Sequence, residues 1–256
     1  MDGQRSVGIT DFHNHVIPGV DDGATDEAET VSALSAMAAE GVTAVVATPH
    51  VRLFASGQGS VEGRLAEIDQ GWERLLACAG AMPLKRGAEL RLDTVDPDLE
   101  DARLRLGGSR FALVEYPFFA VPPRSTRVLA LVVNRGWIPI VAHPERYTGI
   151  DAGLDTVREW REAGALIQVN IGSLLGRFGQ QATRTAFALL RRGWVDYLGS
   201  DYHARGLPRI AEARTLLERS GATAQAELLM VTNPGRLWRD EVPLPVLPAG
   251  LPEPGS

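Results

Sequence analysis

Apolar residues in this chain follow two alternating patterns. Short continuous runs such as VTAVVAT (42–48) are typical of buried strands, whereas longer segments carry apolar residues at helical spacing. The continuous runs predict seven strands, at residues 7–12, 42–48, 84–89, 111–115, 137–142, 166–169 and 194–199. Helices, each followed by a glycine, are predicted from Thr25 or Asp26 to Gly41, at 61–79, 125–135 and 154–163, and up to Arg192.

The alternation of strands with helices predicts the fold class. Strands separated by helices pair in parallel, so the sequence indicates an α/β protein. Candidate site residues follow the first five strands and the seventh. In a closed barrel such residues converge on one face, whereas an open sheet spreads them along a line. We therefore expect a single-domain, distorted (β/α)7 barrel, similar to a TIM barrel, over residues 1–240.

Composition narrows the class of protein. The 256 residues are 45% hydrophobic and 23% charged, as in ordinary globular proteins, and the formal charge of -6 argues against nucleic-acid binding. Cys78 is the sole cysteine, so an internal disulfide is excluded. The chain has neither an apolar leader nor a run of about 18 apolar residues, and we expect a cytoplasmic protein without membrane insertion.

The last sixteen residues differ from the rest of the chain. Residues 241–256 carry five of the sixteen prolines. Such a composition predicts an extended, flexible tail outside the barrel. A proline-rich ligand for a partner domain is the alternative role.

All five histidines follow predicted strands, and each has an acid or another histidine nearby. They are His13 and His15 in DFHNH, His50 in ATPH, His143 in VAHPER and His203 in SDYH. Residues two apart on an extended segment point the same way, so His13 and His15 can reach one ion, as can Asp201 and His203. A lone histidine is more often structural, but the five together predict one polynuclear metal centre.

Acidic residues at the strand ends extend this candidate site. Glu89 and Glu115 each end a predicted strand, where a buried carboxylate requires a cation. Ion pairs are the alternative, with partners in Arg86, Arg91 or Arg110. Of Asp21 and Asp22 in VDDG, one is expected to shape the turn and the other to be available as a ligand.

Arg146 adds a second kind of chemistry. It lies three residues beyond His143, and its guanidinium fork suits phosphate oxygens. A surface ion pair with Glu145 is the alternative. The combination of a metal centre with this arginine indicates a site for a phosphate ester.

The motifs also resemble a known family. DFHNHVIPGVDDG, TPH, GAELRL, LVEYP, PIVAHPERY, NIGSLLGRFG and SDYH are similar, in order, to motifs of the bacterial PHP-type tyrosine-protein phosphatases of capsule and exopolysaccharide loci, over roughly residues 9–235. This resemblance to the CpsB/CapC family implies the barrel of the PHP (polymerase and histidinol phosphatase) superfamily. It also implies three divalent ions, often manganese, with iron, zinc, cobalt or magnesium as other options.

The resemblance further implies how the residues divide among the ions. His13, His15, Glu89 and Asp201 would hold the first ion; Glu89, Glu115 and His143 the second; and Asp22, His50 and His203 the third. Arg146 matches the substrate-contacting arginine of the family. The second family arginine is either Arg205 or Arg209. The histidine of TPHV is not followed by the extra polar residues that are common in relatives, and we expect the segment RLFASGQGS (52–60) to bind substrate differently.

The predicted reaction is hydrolysis of phosphotyrosine by a metal-activated water. Cysteine-based catalysis is excluded by spacing, because it needs an arginine six positions after the cysteine and Leu84 stands six after Cys78. We expect Cys78 to be a helix core residue. The resemblance implies the tail of a bacterial tyrosine kinase as the partner. The alternatives are a small-molecule phosphatase, for example for histidinol phosphate, and a non-catalytic metal-binding module.

Overall fold

The computed structural model describes residues 8–54, 60–117, 120–150 and 153–252. Within these ranges the chain forms nine strands, and every pairing between them is parallel. They are β1 (Ile9–Asp11), β2 (Val42–Ala47), β3 (His50–Arg52), β4 (Leu84–Arg86), β5 (Glu89–Arg91), β6 (Phe111–Glu115), β7 (Ile138–Ala142), β8 (Leu166–Asn170) and β9 (Tyr197–Gly199). One sheet has the order β1-β2-β4, and the other has the order β3-β5-β6-β7-β8-β9.

Two of the predicted strands are each divided in two. The strand predicted at 84–89 ends at Arg86, and β5 continues in the second sheet. The strand at 42–48 likewise continues as β3 beyond Thr48 and Pro49. Proline lacks an N–H for a continuous ladder. Hydrogen bonds from Gly87 N to Ala47 O (2.8 Å) and from Glu89 N to Pro49 O (3.0 Å) carry the pairing across the break. Nine strands therefore occupy seven positions.

The first and last positions close the barrel. Asn14 and Tyr202 form a parallel bridge beyond the ends of β1 and β9. His15 N donates to Tyr202 O at 2.9 Å, and Asp201 N donates to His13 O at 2.8 Å. The predicted distorted seven-position barrel is confirmed, and its closing contacts are made by site residues.

The helices cover the outside of the barrel. Among the described residues they are α1 (Glu27–Ala39), α2 (Glu62–Cys78), α3 (Ser125–Asn134), α4 (Asp155–Glu162), α5 (Ile171–Leu174), α6 (Gly179–Arg191), α7 (Ile210–Arg219), α8 (Thr223–Glu227) and α9 (Asn233–Trp238). The five predicted helices correspond to α1, α2, α3, α4 and α6. Asp26 is the N-cap of α1, because its carboxylate accepts from Glu29 N at 2.9 Å. The sequence analysis did not identify α5 or the three helices after β9.

The barrel interior is filled by a small apolar cluster. Phe12, Val46, Leu113, Ile140 and Tyr197, which come from strands around the barrel, are buried against one another. The rings of Phe12 and Tyr197 meet edge to face with centroids 5.0 Å apart. Because this cluster fills the barrel below the strand ends, polar side chains at those ends are directed to one face.

Residues 241–252 have neither helix nor strand but contact the barrel. Gln225 Nε2 donates to Leu247 O at 2.7 Å, and Asn233 exchanges hydrogen bonds with Leu244. Val246 and Leu251 are buried. These contacts favour a tail that is held along its length. The domain boundary at residue 240 and the flexibility of the tail stay predictions.

The position of Cys78 differs from the prediction. Cys78 is the last residue of α2 and is half-buried rather than in the core, since the helix ends there at the surface. Burial raises the pKa of its thiol.

None of the helices in the described ranges has the length and apolar character needed to span a bilayer. Within the segment 52–60, residues 55–59 lie outside the described residues, so its expected role stays a prediction.

Candidate metal centre

The structure brings all nine predicted ligands to one end of the barrel. Three overlapping groups have ligand atoms within 4.8 Å of one another. The first two are His13, His15, Glu89 and Asp201, and then His15, Asp22, His50 and His203; the third is His50, Glu89 and Glu115. His143 joins them through Glu89. Glu115 ends β6, His50 and Glu89 begin β3 and β5, and the other six residues lie in the loops that follow β1, β7 and β9.

The inner group, defined as His13, His15, Glu89 and Asp201, lies below the protein surface. The side chains of His13, His15 and Glu89 are fully buried, and that of Asp201 is 5% exposed. His13 Nε2 lies 3.2 Å from Glu89 Oε1 and 3.4 Å from Asp201 Oδ1. His15 Nε2 lies 3.5 Å from Glu89 Oε2 and from Asp201 Oδ1. Both imidazoles therefore face the same pair of carboxylates.

Glu89 connects the inner group to three further side chains. His143 Nε2 lies 3.0 Å from Glu89 Oε1. His50 Nδ1 lies 3.1 Å from Glu89 Oε2 and 3.3 Å from Glu115 Oε1. Glu89 begins β5 opposite Leu113, and Glu115 ends the adjacent strand β6 two residues beyond Leu113, so the register places both carboxylates on one face of the sheet. Both Glu89 oxygens thus face imidazoles on different sides.

The outer group, defined as Asp22, His50 and His203, is open to solvent. Asp22 Oδ1 lies 3.5 Å from His50 Nε2 and 3.4 Å from His203 Nε2, and the Asp22 side chain is 63% exposed. The His203 ring stacks on His15 with centroids 4.0 Å apart. His15 therefore borders both groups, which the sequence analysis did not assign to it.

Hydrogen bonds behind the site direct imidazole lone pairs into it. Gln168 Oε1 accepts from His13 Nδ1 at 2.9 Å, and Asp21 Oδ2 accepts from His15 Nδ1 at 2.8 Å. The backbone oxygen of Asp201 accepts from His203 Nδ1 at 2.9 Å. An accepting oxygen requires the proton on Nδ1, so each neutral ring presents its Nε2 lone pair to the carboxylates.

The buried atoms left by this arrangement fit metal ions. His13 Nε2, His15 Nε2, His50 Nδ1 and Glu89 Oε2 are buried without a hydrogen bond to any described residue. Buried polar atoms are nearly always satisfied, because leaving one unpaired costs about 1–3 kcal/mol. Imidazole nitrogens and carboxylate oxygens are the ligand types of divalent transition ions. The residues present therefore fit bound divalent cations.

The charges of the cluster shift its pKa values strongly. Burial disfavours protonated His13, yet the Glu89 and Asp201 carboxylates outweigh it and raise the pKa to about 9. Burial likewise opposes protonation of His50, but Glu115 and Glu89 raise its pKa to about 10. His203 differs, because burial and the charge of His15 lower its pKa. The excess of carboxylates thus attracts protons wherever no other cation is bound.

A polar network on β8 links two members of the inner group. Beyond its bond to His13, Gln168 donates from Nε2 to Asn170 Oδ1 at 2.9 Å. Asn170 Nδ2 donates in turn to Asp201 Oδ2 at 2.7 Å. All these side chains are buried or nearly so. The sequence analysis missed Gln168 and Asn170, although two polar residues two apart in the apolar run LIQVNI were a usable signal.

Asp21 and Asp22 have the separate roles expected of them. Asp21 Oδ1 accepts from Gly23 N at 3.1 Å, so Asp21 shapes the turn. Its Oδ2 orients His15, and these hydrogen bonds, led by His15 and opposed by burial, lower the pKa of Asp21 to about 2. Asp22 is the one that faces His50 and His203.

Two site residues have left-handed backbone conformations. His143 has a φ of 38° and Asp201 a φ of 49°. Neither is a glycine, so each costs on the order of 1–3 kcal/mol of strain. Surrounding hydrogen bonds hold both, including His143 N to Gln168 O at 2.8 Å. Strain at two residues in the cluster is typical of a functional site.

The alternative ion pairs considered for the acids are absent from the described residues. Arg86 pairs with Asp69, Arg91 with Asp93 and Arg110 with Asp240. Arg146 pairs with Asp201, while Glu145 accepts from Asn170 N at 3.0 Å and from Ser173 Oγ at 2.6 Å. Glu89 and Glu115 are thus left facing histidines.

A cavity of about 180 Å³ adjoins the cluster. Asp201 and His203 form one wall, and Arg146, Arg177 and Arg205 line the rest together with Phe178. Arg146 Nη1 donates to Asp201 Oδ2 at 2.8 Å. Neither Arg177 nor Arg205 forms an ion pair with a described acid. The cavity therefore presents uncompensated positive charge next to the metal-ligand cluster.

The two alternative second arginines lie in different places. Arg205 lines the cavity. Arg209 pairs with Glu212 at 2.9 Å and directly precedes α7, and it is not among the residues that line the cavity. The structure thus places Arg205 at the cavity and Arg209 away from it, and both residues are exposed. Arg177, which was not predicted from the sequence, is the third arginine that lines the cavity.

Known proteins are similar to this chain in sequence. Tyrosine-protein phosphatase YwqE of Bacillus subtilis is 30% identical over 201 residues, which cover 76% of this chain and 77% of that protein. Tyrosine-protein phosphatase CpsB of Streptococcus pneumoniae is 24% identical over 245 residues, 91% of this chain and 100% of that protein.

Solved structures are similar to this chain in fold. A chain from the crystal structures of YwqE and CpsB, described as metal-dependent tyrosine phosphatases, superimposes with a TM-score of 0.77 at 26% identity, over 94% of this chain and 99% of that one. The phosphotriesterase homology protein of Escherichia coli shares only the fold, with a TM-score of 0.55 at 12% identity over 91% of this chain and 99% of that one. The family model described as capsular polysaccharide synthesis, CpsB/CapC, matches residues 9–239, so this chain belongs to the CpsB/CapC family.

Proposed function

We propose that this chain is a metal-dependent protein-tyrosine phosphatase, which hydrolyses phosphotyrosine with water as the nucleophile. The observation that carries this function is the arginine-lined cavity opening directly onto the imidazole–carboxylate cluster. Relatives of the same family are named as tyrosine-protein phosphatases. An imidazole–carboxylate cluster that can hold divalent cations, beside arginines, suits a dianionic phosphate ester.

The metal part of the proposal concerns three ions. The inner group would hold the first; Glu89, Glu115 and His143 the second, with His50 close enough to contribute; and Asp22, His50 and His203 the third, beside His15. The proposed metal is manganese. When bound, divalent ions supply Lewis-acid stabilisation of phosphoryl oxygens and activation of the attacking water.

The protein side chains have three tasks in this reaction. Arg146, held by Asp201, and Arg205 bind the phosphate oxygens and stabilise the charge that develops on them. The network through Gln168 and Asn170 keeps His13 and Asp201 in position. Phenolate is a good leaving group, so the reaction depends less on a protonating side chain than hydrolysis of an alkyl phosphate does. The proposed physiological substrate is the tyrosine-rich tail of a bacterial tyrosine kinase.

A paired-substrate assay tests the function. Metal-loaded protein should hydrolyse a phosphotyrosine peptide with a higher kcat/KM than histidinol phosphate, and chelation should abolish both activities. A marked preference for histidinol phosphate would establish the small-molecule phosphatase instead. If no phosphate ester is hydrolysed and His143→Ala changes only stability, the chain is a metal-binding module.

The two candidate arginines provide a matched pair within this assay. Arg205→Ala should lower kcat/KM by roughly 10²-fold, because a preorganised donor to the phosphate is lost. Arg209→Ala, which removes a charge only four residues away, should stay within about twofold. Equal losses in both variants would contradict the assignment of Arg205 to the cavity.

A further inference from the structure

Phe178 is a large apolar side chain among the charged and polar residues that line the 180 Å³ cavity. It is 42% exposed. A single exposed apolar residue is common on protein surfaces, so a task for this ring has to come from its contacts. The roles proposed above for the metal ligands and the arginines do not involve this ring.

The backbone around Phe178 is built to present it. Gly176 has a φ of 77° and Gly179 a φ of 86°, and both are conformations that glycine adopts without strain. Arg177 and Phe178 lie between them, in the turn before α6, and both side chains are exposed. A β-carbon on Gly172 would lie 2.8 Å from Phe178 Cε2, so a glycine there leaves room for the ring.

The ring lies against the substrate-binding arginine. Arg146 Cζ is 4.1 Å from the centroid of the Phe178 ring. This cation–π contact, together with the bond from Arg146 Nη1 to Asp201, restrains the guanidinium from two directions. Arg146 and Phe178 also border a second cavity of about 430 Å³, lined further by residues that include Thr148, Ile150 and Gln181. The stacked pair therefore lies between the phosphate cavity and a larger neighbouring one.

We propose that Phe178 is a positioning and specificity-determining residue, which holds Arg146 toward the phosphate and packs against the aromatic ring of the substrate. This inference rests on the proposed function and adds a selectivity to it: aryl phosphates are preferred over alkyl phosphates through the exposed face of one ring. Aromatic pairs contribute about 0.5–1.5 kcal/mol beyond area burial, which corresponds to a preference of roughly two- to tenfold.

Non-hydrolysable ligands test the inference separately from turnover. We would measure, by calorimetry on metal-loaded protein, the affinities for phenylphosphonate and methylphosphonate. The wild-type protein should prefer the phenyl compound. In Phe178→Leu that preference should fall by about two- to tenfold, while affinity for inorganic phosphate should fall by about threefold because Arg146 loses its stacking partner. Phe178→Tyr should restore both values.

Controls keep the result interpretable. Trp194→Leu removes another aromatic ring over an arginine, at 5.6 Å from Arg192 Cζ, away from the site, and should leave both affinities unchanged. Phe178→Met is the second variant if the leucine variant folds poorly. An unchanged phenyl-to-methyl ratio in the Phe178 variants overturns the inference, as does a wild-type protein without phenyl preference. A phenyl preference that depends on Phe178 in a protein unable to hydrolyse phosphotyrosine would support the inference and reject the proposed function.

Discussion

The inner and outer groups use the same residue types but differ in their surroundings. The inner group is buried and its imidazoles are fixed by a glutamine and an aspartate. In the outer group, Asp22 and His50 have side chains that are 63% and 36% exposed. Preorganised, buried ligands hold an ion more tightly than ligands that must be ordered on binding. For the proposed metal centre, this contrast predicts that the inner group holds its ion tightly and that the outer group exchanges its ion with solvent.

The largest expected effect concerns Glu89, which faces imidazoles of both groups. Glu89→Gln should lower kcat/KM by roughly 10³-fold, because several kcal/mol of metal-dependent stabilisation depend on this carboxylate. Steady-state kinetics and metal analysis measure the change. Asp196→Asn is the control, since Asp196 is also buried but pairs with Arg161 outside the site. Activity loss that is equal in both variants would mean that Glu89 acts only through stability.

The pH dependence should separate the metal-free from the metal-bound protein. His13 and His50, with pKa values of about 9 and about 10, are protonated at neutral pH without metal, whereas ligand imidazoles are neutral. Metal binding should therefore release protons, and affinity should rise with pH by about tenfold per unit for each proton released, up to about pH 10.

The stability of the metal-free protein should change in the opposite sense. Because the folded-state pKa values of His13 and His50 are raised, their contribution is complete below about pH 6.5 and is lost as the pH rises through 9 and 10. Calorimetry in two buffers of different ionisation enthalpy measures the released protons, and thermal melts measure stability. Metal affinity that does not change from pH 6 to 9 would contradict both statements.

A smaller effect is expected from the hydrogen bonds behind the inner group. Gln168→Met keeps the side-chain volume but removes the acceptor for His13 and should weaken metal binding by about 10–100-fold. Competition with a chelator of known affinity measures the loss. Gln225→Met removes a buried amide that bonds the tail instead, and it should reduce stability without altering metal affinity. The reverse outcome would show that the inner ion does not depend on this network.

The smallest effect on activity is expected for the outer group. Asp22→Asn should lower the number of ions retained after dialysis by one while kcat/KM falls by less than about tenfold, since Asp22 is exposed and bordered by His50 and His203. Elemental analysis after dialysis measures the retained ions. If the variant instead loses all bound metal, the two groups act as one unit and the contrast between them is wrong.

Particular elements show where sequence reasoning succeeded. The glycine-terminated helices α1 to α4 and α6 have strong local signals, because their apolar spacing and end residues are encoded within each segment. The end of the second strand before Pro49 was predicted, whereas its continuation as β3 and the break at Gly87 were missed, since they arise from a change of pairing partner between two sheets. Helices α7 to α9 were not identified, although Ala213 and Leu217 carry a helical apolar stripe.

For the candidate site as well, some properties could be predicted from the sequence and others could not. Its residue types were visible because all five histidines and several acids follow apolar strands, whereas a lone histidine there is more often structural. The positions of Arg205 and Arg209 could not be separated, since four residues of sequence do not specify which side chain turns toward a cavity. Phe178 has no chemical signature in sequence, and only its stacking on Arg146 gives it a task.

The sequence by itself determined the alternating elements, the set of metal-ligand side chains and, through its motifs, the family. Those properties depend on residue type and short-range spacing, which the chain carries directly. The tertiary structure alone decided that Asp21 orients His15, that His15 also borders the outer group, and that Gln168 and Asn170 connect His13 to Asp201. Several of these contacts join residues that are distant in sequence, 155 positions apart for His13 and Gln168, and the closure of the barrel creates them.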